Sequence, residues 1–101
     1  MTTEEPRVTV GIPVYNGGAS IRATVESVLA QTYDSFEVLV VDNASTDETE
    51  AVCRALAEAD DRVRYVRNDE NIGQNNNFTR VYQLGRGDYF RWMGDDDSLE
   101  P

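Results

Sequence analysis

The chain alternates between two hydrophobic periods, and their order predicts a fold. Arg7 to Pro13 (RVTVGIP) is a short β-rich run closed by a proline, and it reads as a first strand. From Ser20 the period lengthens: Ile21, Val25, Val28 and Leu29 recur at helical spacing along one face. Phe36 to Val41 (FEVLVV) is nearly all apolar, the pattern of a strand covered on both faces. Ser45 and Glu48 have the spacing of a capping box, and Val52, Ala55, Leu56 and Ala59 then form a second helical stripe. Arg62 to Arg67 (RVRYVR) alternates with period two, which suggests a strand with one polar face, at or near a sheet edge. Phe78, Val81 and Tyr82 mark a third helix, closed near Gly85 and Gly87, and Asp88 to Met93 (DYFRWM) predicts a fourth strand.

The order β-α-β-α-β-α-β predicts an α/β fold: a Rossmann-like, doubly wound, mostly parallel sheet with right-handed crossovers. Such sheets bind ligands beyond the carboxyl ends of their strands, at a switch in strand order. In this chain those ends carry the unusual polar chemistry. They hold Pro13 to Gly18 (PVYNGG), Asp42 to Ser45 (DNAS), Asn68 to Asn77, and Gly94 to Ser98 (GDDDS).

Composition narrows the field. A length of 101 residues predicts one domain with a modest core, and 40% apolar with 28% charged residues is ordinary for a globular chain. The net charge of −10 argues against a nucleic-acid or anionic-membrane partner, and a phosphate-bearing ligand would need a local cation. With one cysteine and no histidine the chain has no internal disulfide, Cys/His zinc site or His-based triad. Cys53 lies beside Val52 on the apolar stripe and reads as core. No apolar run is long enough to span a bilayer and TTEEPR is unlike a signal peptide, so a reducing cytoplasm is the expected compartment.

Asp95, Asp96 and Asp97 pose the sharpest question. Two unit charges about 5 Å apart repel by about 3 kcal/mol at an effective dielectric of about 20, and by under about 1 in water. The triplet is therefore either a solvated turn or a cation site. At a strand end on the ligand rim, hard oxygen donors suit Mg2+ or Mn2+, and an extended D-x-D would turn Asp95 and Asp97 to one side and Asp96 to the other. Asp42 and Asn43 could satisfy loop backbone or meet a nucleobase or ribose. Tyr15 is an aromatic at a strand end, able to stack on a flat base. Gly73 is free to take positive φ. PVYNGG lacks the G-x-G-x-x-G of a dinucleotide-binding dehydrogenase.

Four segments, VTVGIPVYNGG, SVLAQTYDSFEVLVVDNASTDET, NENIGQNNNF and GDYFRWMGDDDSLEP, together resemble the N-terminal half of a family 2 glycosyltransferase with the GT-A fold. The resemblance spans nearly the whole chain. It implies a nucleotide-diphosphate-sugar donor and an inverting, metal-assisted transfer to a sugar, lipid or other acceptor. By position it implies that Pro13 and Tyr15 line the base pocket, with Asn16 and Gly73 in the nucleotide-sugar site, and that Asp42 and Asn43 bind base or ribose. Asp95 and Asp97 would hold Mn2+ or Mg2+, with Asp96 near the ribose or sugar. Two departures stand out: DNA at 42–44 where the family usually writes DDG, and Gly94 where many members carry an acid. In the family the acceptor site and the catalytic base lie further along, so the base is expected beyond Pro101. The 101 residues alone are accordingly expected to transfer no sugar. A place peripheral to the inner membrane face is compatible with this reading.

Other classes remain open at this point. A receiver-type signalling domain would phosphorylate Asp42, but it needs an acidic pair after the first strand. A nucleotidyltransferase needs a basic glycine-rich loop there. A non-catalytic nucleotide-binding or interaction module, with an exposed edge that invites homo-oligomers, needs neither.

Overall fold

A computed structural model describes residues 7–31 and 35–94. In chain order the elements are β1 (Val8–Val14), α1 (Ile21–Leu29), β2 (Phe36–Asp42), α2 (Thr49–Ala59), β3 (Val63–Arg67), α3 (Gln74–Leu84) and β4 (Tyr89–Trp92). The predicted element order holds, with strand boundaries shifted by a residue or so. All strand pairs are parallel, in the order β3-β2-β1-β4. The chain thus winds outward from β1 through β2 to β3, then returns to lay β4 on the other side of β1. The switch in strand order falls between β1 and β4.

Every residue of β2 is buried, Glu37 and Asp42 included, as its nearly continuous apolar run requires of a central strand. One face of the sheet packs Val10, Ile12, Val38 and Val40 against Ile21, Val25 and Val28 of α1 and Cys53 and Leu56 of α2. The other face packs Leu39 and Val41 against Val81 of α3. Helices on both faces make the sheet doubly wound. Burying a side chain such as Ile21 or Val25 contributes about 1.5–3 kcal/mol, so these short helices are held by packing rather than propensity. On α3 the approach to the sheet is close: a Cβ on Gly11 would lie 2.4 Å from Phe90 Cζ and 2.6 Å from Val81 Cγ1.

One local expectation fails. Ser45 and Glu48 form no capping box, because α2 begins at Thr49 and Glu48 makes no side-chain cap bond. Asp47 serves the helix start instead, accepting from the Thr49 N–H at 2.9 Å and its hydroxyl at 2.5 Å. Ser45 is drawn away by Asp42, as described below. The alternating β3 does lie at a sheet edge. At the opposite edge Tyr89 and Trp92 of β4 are exposed, as is Tyr82 on α3.

Candidate donor site at the carboxyl rim

Parallel strands bring their carboxyl ends to one rim, and a cavity of about 390 Å3 opens there, beside the switch point. The end of β1 supplies Pro13, Val14 and Tyr15, the residue after β2 supplies Asn43, and Gly94 follows β4. The loop before α3 supplies Asn71, and the first turns of α3 supply Gln74, Asn77 and Phe78. Tyr15 is 48% exposed, so its ring is available rather than packed away. Phe78 lies 5.0 Å from Trp92 between ring centroids, which closes the β4 side with aromatic surface.

The amides of this rim form one connected network. Asn77 Nδ2 donates to the Val41 carbonyl at 3.1 Å, so its Oδ1 is the atom that accepts from Asn68 Nδ2 at 2.8 Å. Asn68 Nδ2 also donates to Asn43 Oδ1 at 3.0 Å, which accepts in addition from the Ile72 N–H at 2.9 Å. Asn43 Nδ2 donates to Asn71 Oδ1 at 3.0 Å, and that oxygen accepts the Gly73 N–H at 2.8 Å. Backbone groups with fixed polarity terminate the network at Val41, Ile72 and Gly73, so every side-chain amide in it has one possible orientation. The carbonyl oxygens of Asn43 and Asn71 each accept two hydrogen bonds, leaving N–H groups as their uncommitted polar atoms. These two amides therefore favour ligand groups that accept hydrogen bonds.

The expected site residues fall into three groups. Pro13, Tyr15 and Asn43 line the cavity. Asn16, Asp42 and Gly73 stand one step behind it. Asn16 has φ 54°, and its Oδ1 accepts the Thr46 N–H at 2.8 Å. Asp42 is fully buried, with Tyr65, Arg67 and Ser45 around its carboxylate. Gly73 has φ 89° and open space where a Cβ would point, so its backbone conformation alone favours glycine. Asp95, Asp96 and Asp97 lie outside the described residues; they follow directly on Gly94, which lines the cavity. Pro101, beyond which the catalytic base is expected, also lies outside the described residues. Among the described residues no group of three or more His, Cys, Asp or Glu side chains could hold a metal.

Sequence reasoning passed over Asn71, Gln74, Asn77 and Phe78 as ligand-site residues. The available signal was composition: QNNN opens the helix with four amides, three of them asparagines, where residues of better helix propensity are usual. Cys53 is core as expected, and burial, then the carboxylates of Asp42 and Asp47, push its thiol up to about 12.

Residues 9–101 match the sequence pattern of the family described as Glycosyl transferase family 2. The chain belongs to that family. An uncharacterized glycosyltransferase of Rickettsia bellii is 38% identical over 103 residues, covering 100% of this chain and 14% of the relative. An uncharacterized protein of Mycobacterium tuberculosis is 34% identical over 97 residues, covering 96% of this chain and 30% of the relative. The chain thus spans under a third of the length of either relative. Among solved structures, a mannosyltransferase from Pyrobaculum calidifontis in complex with GDP-Man and Mn2+ superposes with a TM-score of 0.86 at 29% identity, covering 98% of this chain and 30% of that one. S. aureus TarS in complex with UDP superposes with a TM-score of 0.84 at 23% identity, covering 93% of this chain and 28% of that one, a likeness of fold. The fold is that of GT-A glycosyltransferases. No helix among the described residues is long and apolar enough to cross a membrane.

Proposed function

We propose that this chain is the donor-binding part of an inverting, metal-dependent glycosyltransferase that draws its sugar from a nucleotide-diphosphate-sugar. The observation that carries the proposal is the cavity at the β1/β4 switch point. It joins an available aromatic ring, Tyr15, and a donor-rich amide wall to Gly94, with three aspartates next in the chain. Tyr15 stacks on the base above Pro13, and the free N–H of Asn43 meets an acceptor on the base or ribose. Asn16 and Gly73 hold the two loops that flank the nucleotide.

Charge supports the metal. No lysine or arginine lines the cavity among the described residues, and none occurs in residues 95–101. A diphosphate entering a chain of net charge −10 needs a counter-ion. The carboxylates of Asp95 and Asp97 are the hard oxygen donors that Mn2+ or Mg2+ prefers, with Asp96 left for the ribose or sugar. Such an ion supplies Lewis-acid stabilisation of the departing diphosphate. The structural neighbour that holds GDP-Man with Mn2+ supports the same pairing.

Calorimetry of the chain with UDP, GDP and dTDP, with and without Mn2+, tests the reading. Binding of at least one nucleotide that strengthens with Mn2+ and loses that gain in Asp97→Ala is expected. Binding of none, or binding indifferent to both changes, overturns it.

A further inference from the structure

The Asp42 carboxylate is fully buried and committed to protein donors. Its Oδ1 accepts from the Ser45 N–H at 2.9 Å and the Ser45 hydroxyl at 2.5 Å. Its Oδ2 accepts from the Tyr65 hydroxyl at 2.6 Å and the Arg67 guanidinium at 3.3 Å. An ionised carboxylate offers about four acceptor positions, and these donors fill them. Asp42 is also not among the residues that line the cavity.

Its influence runs outward through Ser45. A serine hydroxyl ordinarily rotates to suit its neighbours, but this one has its proton fixed on Asp42. It must therefore turn a lone pair the other way, where Oγ accepts the Asn16 N–H at 2.8 Å. Asn16 is strapped a second time by the Thr46 N–H. On the other side of Tyr15, the Val14 carbonyl accepts the Asn43 N–H at 2.8 Å. Tyr15 thus sits between two residues whose backbones are both tied to the segment after β2. Its ring, lining the cavity, is the part left free.

We infer that Asp42 is a positioning residue: acting through Ser45 and Asn16, it sets the Tyr15 ring and does not itself touch the nucleotide. The inference rests on the donor-binding reading and replaces the direct base or ribose contact that resemblance alone implies for Asp42.

The test separates positioning from contact by a double-mutant cycle. Ser45→Ala removes the oriented acceptor and keeps the Ser45 N–H on Asp42. Measured with UDP and GDP plus Mn2+, Ser45→Ala is expected to weaken binding about tenfold when Tyr15 is present and less than about twofold in the Tyr15→Ala chain. Asp42→Asn should follow the same pattern. Equal losses in both backgrounds overturn the inference. A ligand-free readout covers the case in which nucleotide affinity is nil and the donor-binding reading itself falls. In Ser45→Ala, the Asn16 amide should exchange faster and the Tyr15 ring chemical shifts should move toward those of an unstructured tyrosine, while amide protection along β1 and β2 is unchanged. An unaltered Tyr15 ring overturns the positioning role whether or not a nucleotide binds.

Discussion

Asn77, on the first turns of α3, donates its side-chain amide to the main-chain carbonyl of Val41 at 3.1 Å, across 36 positions of sequence. The bond ties helix to central strand beside the cavity at the rim, and it fixes the polarity of the amides beyond it. Asn77 makes two buried hydrogen bonds, donating to Val41 and accepting from Asn68, each worth about 0.5–1.5 kcal/mol. Asn77→Ala should therefore destabilise the fold by about 2 kcal/mol in urea denaturation. Asn77→Asp should cost more at neutral pH, where a carboxylate oxygen would face the Val41 carbonyl. Its deficit should shrink in acid, because a protonated Asp can donate as the amide does.

Tyr15 is half exposed, so its removal should leave the melting temperature nearly unchanged. Stacking of a base on an aromatic ring is worth about 1–3 kcal/mol, so Tyr15→Ala should weaken nucleotide binding roughly 5- to 150-fold, with Tyr15→Phe close to the parent. Calorimetry alongside thermal melting checks both halves.

Ala44 has φ 63°, a region that costs a residue with a Cβ about 1–2 kcal/mol. It is held there by the turn in which the Ser45 N–H bonds Asp42 Oδ1. Glycine relieves the strain but enlarges the entropy of the unfolded chain, so the two effects oppose each other. Ala44→Gly should give a net stabilisation of about 0.5–1 kcal/mol, seen as a rise of about 2–8 °C in Tm. A fall would mean that the turn relaxes at no cost.

Glu37 is a buried carboxylate on β2. Burial pushes its pKa up, but the Arg86 N–H, the Thr9 hydroxyl and the Arg64 guanidinium together outweigh that and hold it below its ordinary 4.5. The folded chain thus resists protonating this group more than the unfolded chain does. Its contribution to stability is full above about pH 4.5 and is lost as the pH falls through the lower folded value. The stability gap between the parent and Glu37→Gln should accordingly narrow between about pH 6 and about pH 3. A gap that stays constant would count against the assigned role of Glu37.

Much of this architecture could be read along the chain, and the residues show why. β2 is apolar but for Glu37 and Asp42 because both its faces are covered, and β3 alternates because it lies at an edge. Ile21, Val25 and Val28 repeat at helical spacing because α1 buries one face. Each of those patterns is local. The capping box misled because Ser45 had a stronger competitor for its hydroxyl, the buried Asp42, which propensity rules do not see. The amide network joining Asn43, Asn68 and Asn77 was invisible for a similar reason. Its bonds link positions 25 and 9 residues apart, set by where strand ends meet and not by any period. The resemblance implied that Asp42 binds base or ribose; the geometry shows that its oxygens face Ser45, Tyr65 and Arg67.

The strand order also bears on synthesis. Because β4 pairs with β1, the Arg7 carbonyl waits for the Tyr89 N–H before that flank of the strand is bonded. A nascent chain leaving the ribosome can assemble β1, β2 and β3 with α1 and α2 early, yet it carries an open strand flank until β4 has emerged. During that interval the flank is a template for any extended segment nearby, which makes the wait for β4 the stage at which this sheet most needs a chaperone's protection.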